Sequence, residues 1–194
     1  MTSLRIAIVL GSTRPGRKAD AIGRWALQRA SNRAHELDVT FELVDIADYA
    51  LSHLDEPIPA IMGRYSHAHT MAWAKTIASF DGFVFVTPEY NHSTSGALKN
   101  AIDFLFAEWN DKACGFVSYG VQGGQRAAEH LRLIAGELKL ADVRSQVALT
   151  LGVDTDDSGV IAEGRQLQAF DTMLNELAGW ARALRSLRET RDGR

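Results

Sequence analysis

Apolar and polar positions along this chain change period in blocks. Residues 4–10 (LRIAIVL) are nearly continuous in Ile, Val and Leu. A strand apolar on both faces belongs to a parallel sheet covered by helices on each side. From residue 19 to about 35, Ile22, Trp25, Ala26, Arg29 and Ala30 recur at helical spacing. Residues 39–45 (VTFELVD) alternate as a half-covered strand does. The pattern then fails over residues 49–63, where two prolines and a glycine predict a long irregular loop, functional or interfacial in character. Helical spacing resumes over residues 65–80 with Met71, Trp73, Ala74, Ile77 and Ala78. A third strand, FVFV at 83–86, ends in a polar turn at 87–93 (TPEYNHS), and a helix opened by Thr94 or Ser95 runs to about residue 107. A strand over 113–119, a Gly-rich turn over 120–124 and a helix over 125–138 follow. The last elements are a strand at 144–151, an acidic loop at 154–159 and a helix from 162 to about 187, with a frayed tail at 190–194.

Strand and helix patterns thus alternate five times, which predicts a doubly wound α/β fold. Right-handed crossovers leave few strand orders. One helix after each of five strands fits the flavodoxin-like order 2-1-3-4-5, with helices on both faces and the ligand at the carboxyl ends of strands 1, 3 and 4. The whole chain, 1–194, reads as a single domain of this kind.

Composition narrows the partners. The chain has 194 residues, 46% hydrophobic and 23% charged, with a net charge of -3. That balance suits a soluble globular protein and asks for neither a nucleic acid nor an anionic membrane. No apolar run approaches the roughly 20 residues of a membrane span. The single cysteine, Cys114, excludes an intrachain disulfide and fits a reducing cytoplasm.

The first loop carries Ser12, Thr13, Arg14, Arg17 and Lys18 and leads into a helix start. Free backbone amides and the positive end of the helix dipole make an anion site there, and two hydroxyls with a guanidinium suit a phosphate monoester. The loop lacks the G-x-G-x-x-G of dinucleotide sites. Gly11 and Gly16 have P-loop spacing, but Arg17 and Lys18 stand where a lysine and a magnesium-binding hydroxyl belong.

Taken together, GSTRPGR after strand 1, VTPEYNHSTSGALKNAIDFL after strand 3 and SYGVQGGQRA after strand 4 resemble the NADPH-dependent FMN reductase family over about residues 4–150. The middle motif is the specific one. The resemblance implies bound FMN and two-electron transfer from NADPH or NADH to flavin. Electrons then pass to a free flavin, quinone, azo dye or metal oxyanion. It also implies a homodimer or a tetramer built from dimers. By position, Ser12 and Arg14 bind the FMN phosphate and the segment Arg17, Lys18 and Ala19 completes the cradle. That last segment departs from the hydroxyl or amide residue common in the family. Pro88, Glu89, Tyr90 and Asn91 lie along the isoalloxazine. Ser118, Gly120, Gly123 and Gly124 line the third loop.

The residue types suit these roles. Pro88 stiffens its loop, and the amides of residues 89–91 are expected to face the polar edge of the flavin. Tyr90 offers a flat face for the ring or for a neighbouring subunit. Asn91 holds the turn. Glu89 is either a surface carboxylate or a partner for a cation across a dimer interface. Arg126 competes with Arg14 and Arg17 for the 2′-phosphate of NADPH. The glycines of the third loop leave room for a planar group. Cofactor and co-substrate carry the chemistry, so no catalytic side chain and no metal site is assigned. A flavodoxin-like electron carrier is the alternative; the cations around the first loop favour the reductase.

Cys114 reads as a small buried hydrophobe. His53, His67 and His69 match no zinc spacing, and there is no G-x-S-x-G. Phe104, Leu105 and Phe106 are consecutive, so one of them is expected to face another subunit.

Overall fold

The computed structural model describes residues 3–192. Five strands, β1 (Leu4–Leu10), β2 (Val39–Asp45), β3 (Gly82–Pro88), β4 (Lys112–Gly120) and β5 (Leu140–Thr150), form one parallel sheet in the order β2-β1-β3-β4-β5. The helices are α1 (Ala19–Asn32), α2 (Ala34–Leu37), α3 (Ala68–Ala78), α4 (Gly96–Asp103), α5 (Gln125–Glu137) and α6 (Arg165–Asp192). The architecture is flavodoxin-like, in the strand order that the alternation predicts.

Side chains of successive strand residues point to opposite faces, and here both faces are apolar. Ile6, Ile8, Leu10, Val84 and Val86 pack with Ile22 and Ala26 of α1 and with Phe170, Leu174 and Leu177 of α6. Ala7, Val9, Phe83 and Phe85 pack on the other side with Trp73 and Ile77 of α3, Leu98 of α4 and Leu131 of α5. The sheet is therefore covered twice, and its carboxyl edge is where loops gather. Among the described residues no helix is long and apolar enough to cross a membrane.

Several boundaries differ from expectation, each for a tertiary reason. β3 continues through Pro88, past the expected turn at 87. Its pairing with β1 has already ended at Val86, so the missing proline amide breaks no bond on that side. β5 starts at Leu140, opposite Lys112, although Asp142 and Arg144 interrupt the apolar pattern. Arg132 of α5 neutralises Asp142 and donates to the Val143 carbonyl at 2.8 Å. α6 runs to Asp192, past the end expected near residue 187. Arg188 pairs with Asp81, and Arg191 pairs with Asp111, both at 2.5 Å. Residues 193 and 194 lie outside the described residues.

α4 ends at Asp103, so residues 104–106 do not continue one helix. Phe104 and Leu105 are both buried, and Phe106 packs partly buried against the same cluster. The three therefore share one cluster within the chain, and only Phe106 keeps exposed surface. The long loop after β2 contains two short 3-10 turns, Ile46–Tyr49 and Ala60–Met62. Asn100 of α4 fastens it, donating to the Ser52 carbonyl at 2.7 Å and accepting from the Leu54 amide at 3.0 Å. The Glu56 carboxylate accepts from the amides of Ser66 and His67 at the start of α3.

Candidate functional site

Three loops meet at the carboxyl edge of the sheet, after β1, β3 and β4. In the first, the Arg17 amide donates to the Arg14 carbonyl at 3.2 Å and closes a turn around Pro15 and Gly16. Gly16 has φ +68, so this is the type II turn that Pro-Gly favours. The turn puts Arg14 in solvent, where its guanidinium bonds to no described residue. Ser12 is buried, with its Oγ 3.1 Å from the Tyr90 hydroxyl and accepting from the Arg14 amide at 3.4 Å.

Arg17 points elsewhere. Its guanidinium is paired with Asp45 at the end of β2, with Asp20 at 2.8 Å and with the Ser12 carbonyl. The hydrogen bond to Asp45 is the largest influence on it and raises its pKa against the opposing effect of burial. Arg17 thus fixes the loop's shape. Lys18 reaches the loop after β5, donating to the Asp156 carbonyl at 3.2 Å. Its backbone starts α1 without a side-chain cap. The first intrahelical bond runs from Ile22 to Lys18, which leaves the amides of Ala19, Asp20 and Ala21 to an outside acceptor. The Asp20 carboxylate, which would oppose an anion there, is neutralised by Arg17.

The second loop is a tight turn closed on both sides. The Tyr90 amide donates to the Ser93 carbonyl at 2.9 Å and the Ser93 amide donates back at 3.1 Å. Asn91 and His92 have φ 50 and 67, which makes this a type I′ turn with Asn at a favoured position. Asn91 holds the turn as its residue type predicts. The expected use of all the amides from 89 to 91 is corrected, because Glu89 donates to the Tyr119 carbonyl at 3.0 Å and Tyr90 is spent on Ser93. The turn itself leaves only the amides of Asn91 and His92 unused. Thr87 and Thr94 bond across the base of the loop at 2.8 Å. Ser95 caps α4 by accepting from the Leu98 amide at 3.0 Å, and it donates to the Gly11 carbonyl. One residue therefore ties the second loop to the first.

The Glu89 carboxylate is not a free surface group, and it finds a cation within its own chain. It accepts from the Arg126 amide at 3.2 Å and pairs with the Arg126 guanidinium at 2.7 Å, in the first turn of α5. Arg126 also donates to Gln122 at 3.0 Å. A carboxylate at a helix start is favoured by the dipole, so this pair docks the second loop on the third.

In the third loop, Ser118 is fully buried and donates to the Gly123 carbonyl at 2.7 Å. The Gly123 amide closes back on Gly120 at 3.1 Å. A Cβ on Gly124 would lie 2.6 Å from the Tyr119 nitrogen, and the residue has φ +69. The demand for glycine at 124 is set by the strand it folds against, which corrects the expectation that a planar ligand sets it.

Sequence reasoning missed Tyr119. It sits at the end of β4 with a buried hydroxyl that has no partner at hydrogen-bond length among the described residues, although Ser12 lies close enough to influence it. Burial raises its pKa. Asp45, which anchors Arg17, was also unmarked, since a strand-ending aspartate carries no special pattern. A cleft of about 620 Å³ adjoins the first loop and is lined by Thr13, Ala47, Leu51, His53, Ala97 and Asn100 among others.

The residues present suit a phosphate monoester attached to a larger group. Backbone amides at an uncapped helix start, an exposed arginine and a buried serine face the first loop. An unpaired buried hydroxyl stands beside them. The model of the NADPH-dependent FMN reductase family matches residues 4–154. An NAD(P)H-dependent FMN reductase of Schizosaccharomyces pombe is 42% identical over 159 residues, 81% of this chain and 78% of that protein. A quinone reductase of Escherichia coli is 35% identical over 138 residues, covering 68% and 69%. The flavoenzyme NAD(P)H:(acceptor) oxidoreductase of Paracoccus denitrificans superposes with a TM-score of 0.72 at 19% identity, covering 93% of this chain and 98% of that one, and so shares the fold. With the family motif spread over all three loops and the matched region spanning β1 to the end of β5, the chain belongs to the NADPH-dependent FMN reductase family.

Proposed function

We propose that this protein oxidises NAD(P)H with FMN held at the carboxyl ends of β1, β3 and β4, and reduces a quinone or a free flavin. FMN, when bound, supplies the two-electron chemistry, accepting from NAD(P)H and giving to the acceptor. The chain supplies the rest. Ser12, Arg14 and the amides of Ala19 to Ala21 hold the phosphate. Arg17 and Lys18 shape that cradle from outside. The amides of Asn91 and His92 and the face of Tyr90 serve the ring. Pro88, Glu89, Ser118, Gly120, Gly123 and Gly124 set the positions of the second and third loops.

The observation that carries this reading is the uncapped start of α1 facing a buried serine and an unpaired arginine, joined through Ser95 and Tyr90 to the PEYN turn. Relatives that reduce FMN or quinones support the choice of acceptor. Steady-state oxidation of NADPH and NADH, with FMN present and a quinone or free flavin as acceptor, tests it. Turnover with at least one nicotinamide is expected; none with either would refute the reading.

The chain acts as one domain in the cytoplasm, as a homodimer or a tetramer of dimers. Exposed Leu54, Ile61, Met62 and Met71 on the long loop and α3 support that assembly. Its lone, buried Cys114 suits a reducing compartment. Sedimentation of the purified protein as a monomer would remove the oligomer from this account.

A further inference from the structure

Ser12 has one proton to donate and two lone pairs to accept with. In the structure the Arg14 amide and the Tyr90 hydroxyl lie at its Oγ, 3.4 and 3.1 Å away. If Tyr90 donates, both acceptor positions are filled. Tyr119 is left over. It is 5% exposed, and its hydroxyl is shut away from solvent with no partner at hydrogen-bond length among the described residues. Ser12 already approaches it closely enough to oppose the effect of burial on its pKa, and Tyr90, Arg17 and Asp20 are its other polar neighbours. A buried hydroxyl without a partner is costly and calls for an explanation. The Tyr119 side chain packs on the α1 side of the sheet, with Ala19 of the helix start in the same cluster. Tyr90 is 37% exposed at the edge of its turn, so it can withdraw without disturbing the core.

One exchange satisfies every group. We propose that Tyr119 is a positioning residue for the phosphate: when a phosphate monoester occupies the first loop, Ser12 releases Tyr90, donates its proton to a phosphate oxygen and accepts from Tyr119. Tyr90 is thereby freed for the ring. The proposal rests on the first loop being the phosphate cradle of FMN. It adds that the Ser12–Tyr90 bond competes with the cofactor and that the Tyr119 hydroxyl acts only through Ser12.

The test is binding of FMN and of riboflavin, which lacks the phosphate, to flavin-free protein, read by quenching of flavin fluorescence. Y119F is expected to lose about fivefold in FMN affinity, the value of one neutral hydrogen bond, with riboflavin affinity unchanged. Its flavin-free form should melt at or above the wild-type temperature, because the removed hydroxyl had no partner. Y90F should associate with FMN several-fold faster. Unchanged FMN affinity in Y119F, equal losses for both flavins, a lower melting temperature of the flavin-free variant, or an unchanged association rate in Y90F would each overturn the proposal. Wild-type protein that binds riboflavin as tightly as FMN would overturn the phosphate cradle itself, and the proposal with it.

Discussion

Three cations near the first loop do three different jobs, although the sequence presents them as one basic cluster. Arg14 is exposed with no partner among the described residues, Arg17 is locked to Asp45 and Asp20, and Lys18 reaches the loop after β5. Arg14→Gln should therefore leave stability within about 0.5 kcal/mol of wild type. Its FMN affinity should fall roughly tenfold or more, as loss of a charge-assisted bond implies. Arg17→Met leaves a largely buried Asp45 carboxylate without its partner and should cost roughly 3 kcal/mol of stability. Urea denaturation and FMN titration of the two variants separate the roles. Lys112 makes a second prediction at this scale. It is 4% exposed and donates to the Ile77 and Ala78 carbonyls at the end of α3, at 2.8 and 3.2 Å. Burial, with Arg188 adding to it, pushes its pKa from 10.5 down to about 7. The folded protein releases this proton near pH 7, whereas the unfolded chain keeps it to about 10.5. Between those values the unfolded state binds more protons, so this group makes stability rise with pH, by something on the order of a few kcal/mol. Lys112→Met should flatten that rise between pH 7 and 9.5 in urea denaturation, and an unchanged slope would contradict the assignment.

At the scale of elements, the second loop shows what sequence can and cannot carry. A turn at PEYNHS was legible from its composition, and so was Ser95 as a helix opener, because turns and caps depend on residues close in the chain. The bounds of β1 and β2 were legible for the same reason. The fate of the amides at 89 and 90 was not, since one acceptor is the Tyr119 carbonyl of a different strand. Glu89 likewise met Arg126, and the end of α6 was secured by Asp81 and Asp111. Except for the Tyr90 amide, which bonds to Ser93 within the turn, these misses involve a partner far along the chain, which local pattern does not encode. The type I′ turn gives its own test. Asn91 sits at φ 50, where a β-branched residue is strained. Asn91→Val should cost about 1–2 kcal/mol, and Asn91→Gly should stay within about 0.5 kcal/mol. Thermal or urea melts of the two variants check this; equal losses would mean that the side chain, and not the backbone angle, is what the position requires.

At the scale of the molecule, the strand order brings three distant loops to one edge and cross-braces them. Ser95 binds the second loop to the first, and Glu89 binds it to the third. Arg17 binds the first loop to β2. The bracing uses much of the polar chemistry that the family motif supplies, so few side chains remain for the ligand. A site of this kind places a cofactor and leaves the electron transfer to it. The most direct test is anaerobic addition of NADPH or NADH to the FMN-loaded protein, followed by a quinone or free flavin, with flavin absorbance as the readout. The account predicts that the oxidised-flavin band bleaches on adding the nicotinamide and returns on adding the acceptor. A band that neither nicotinamide bleaches, on protein shown to hold FMN, would contradict it.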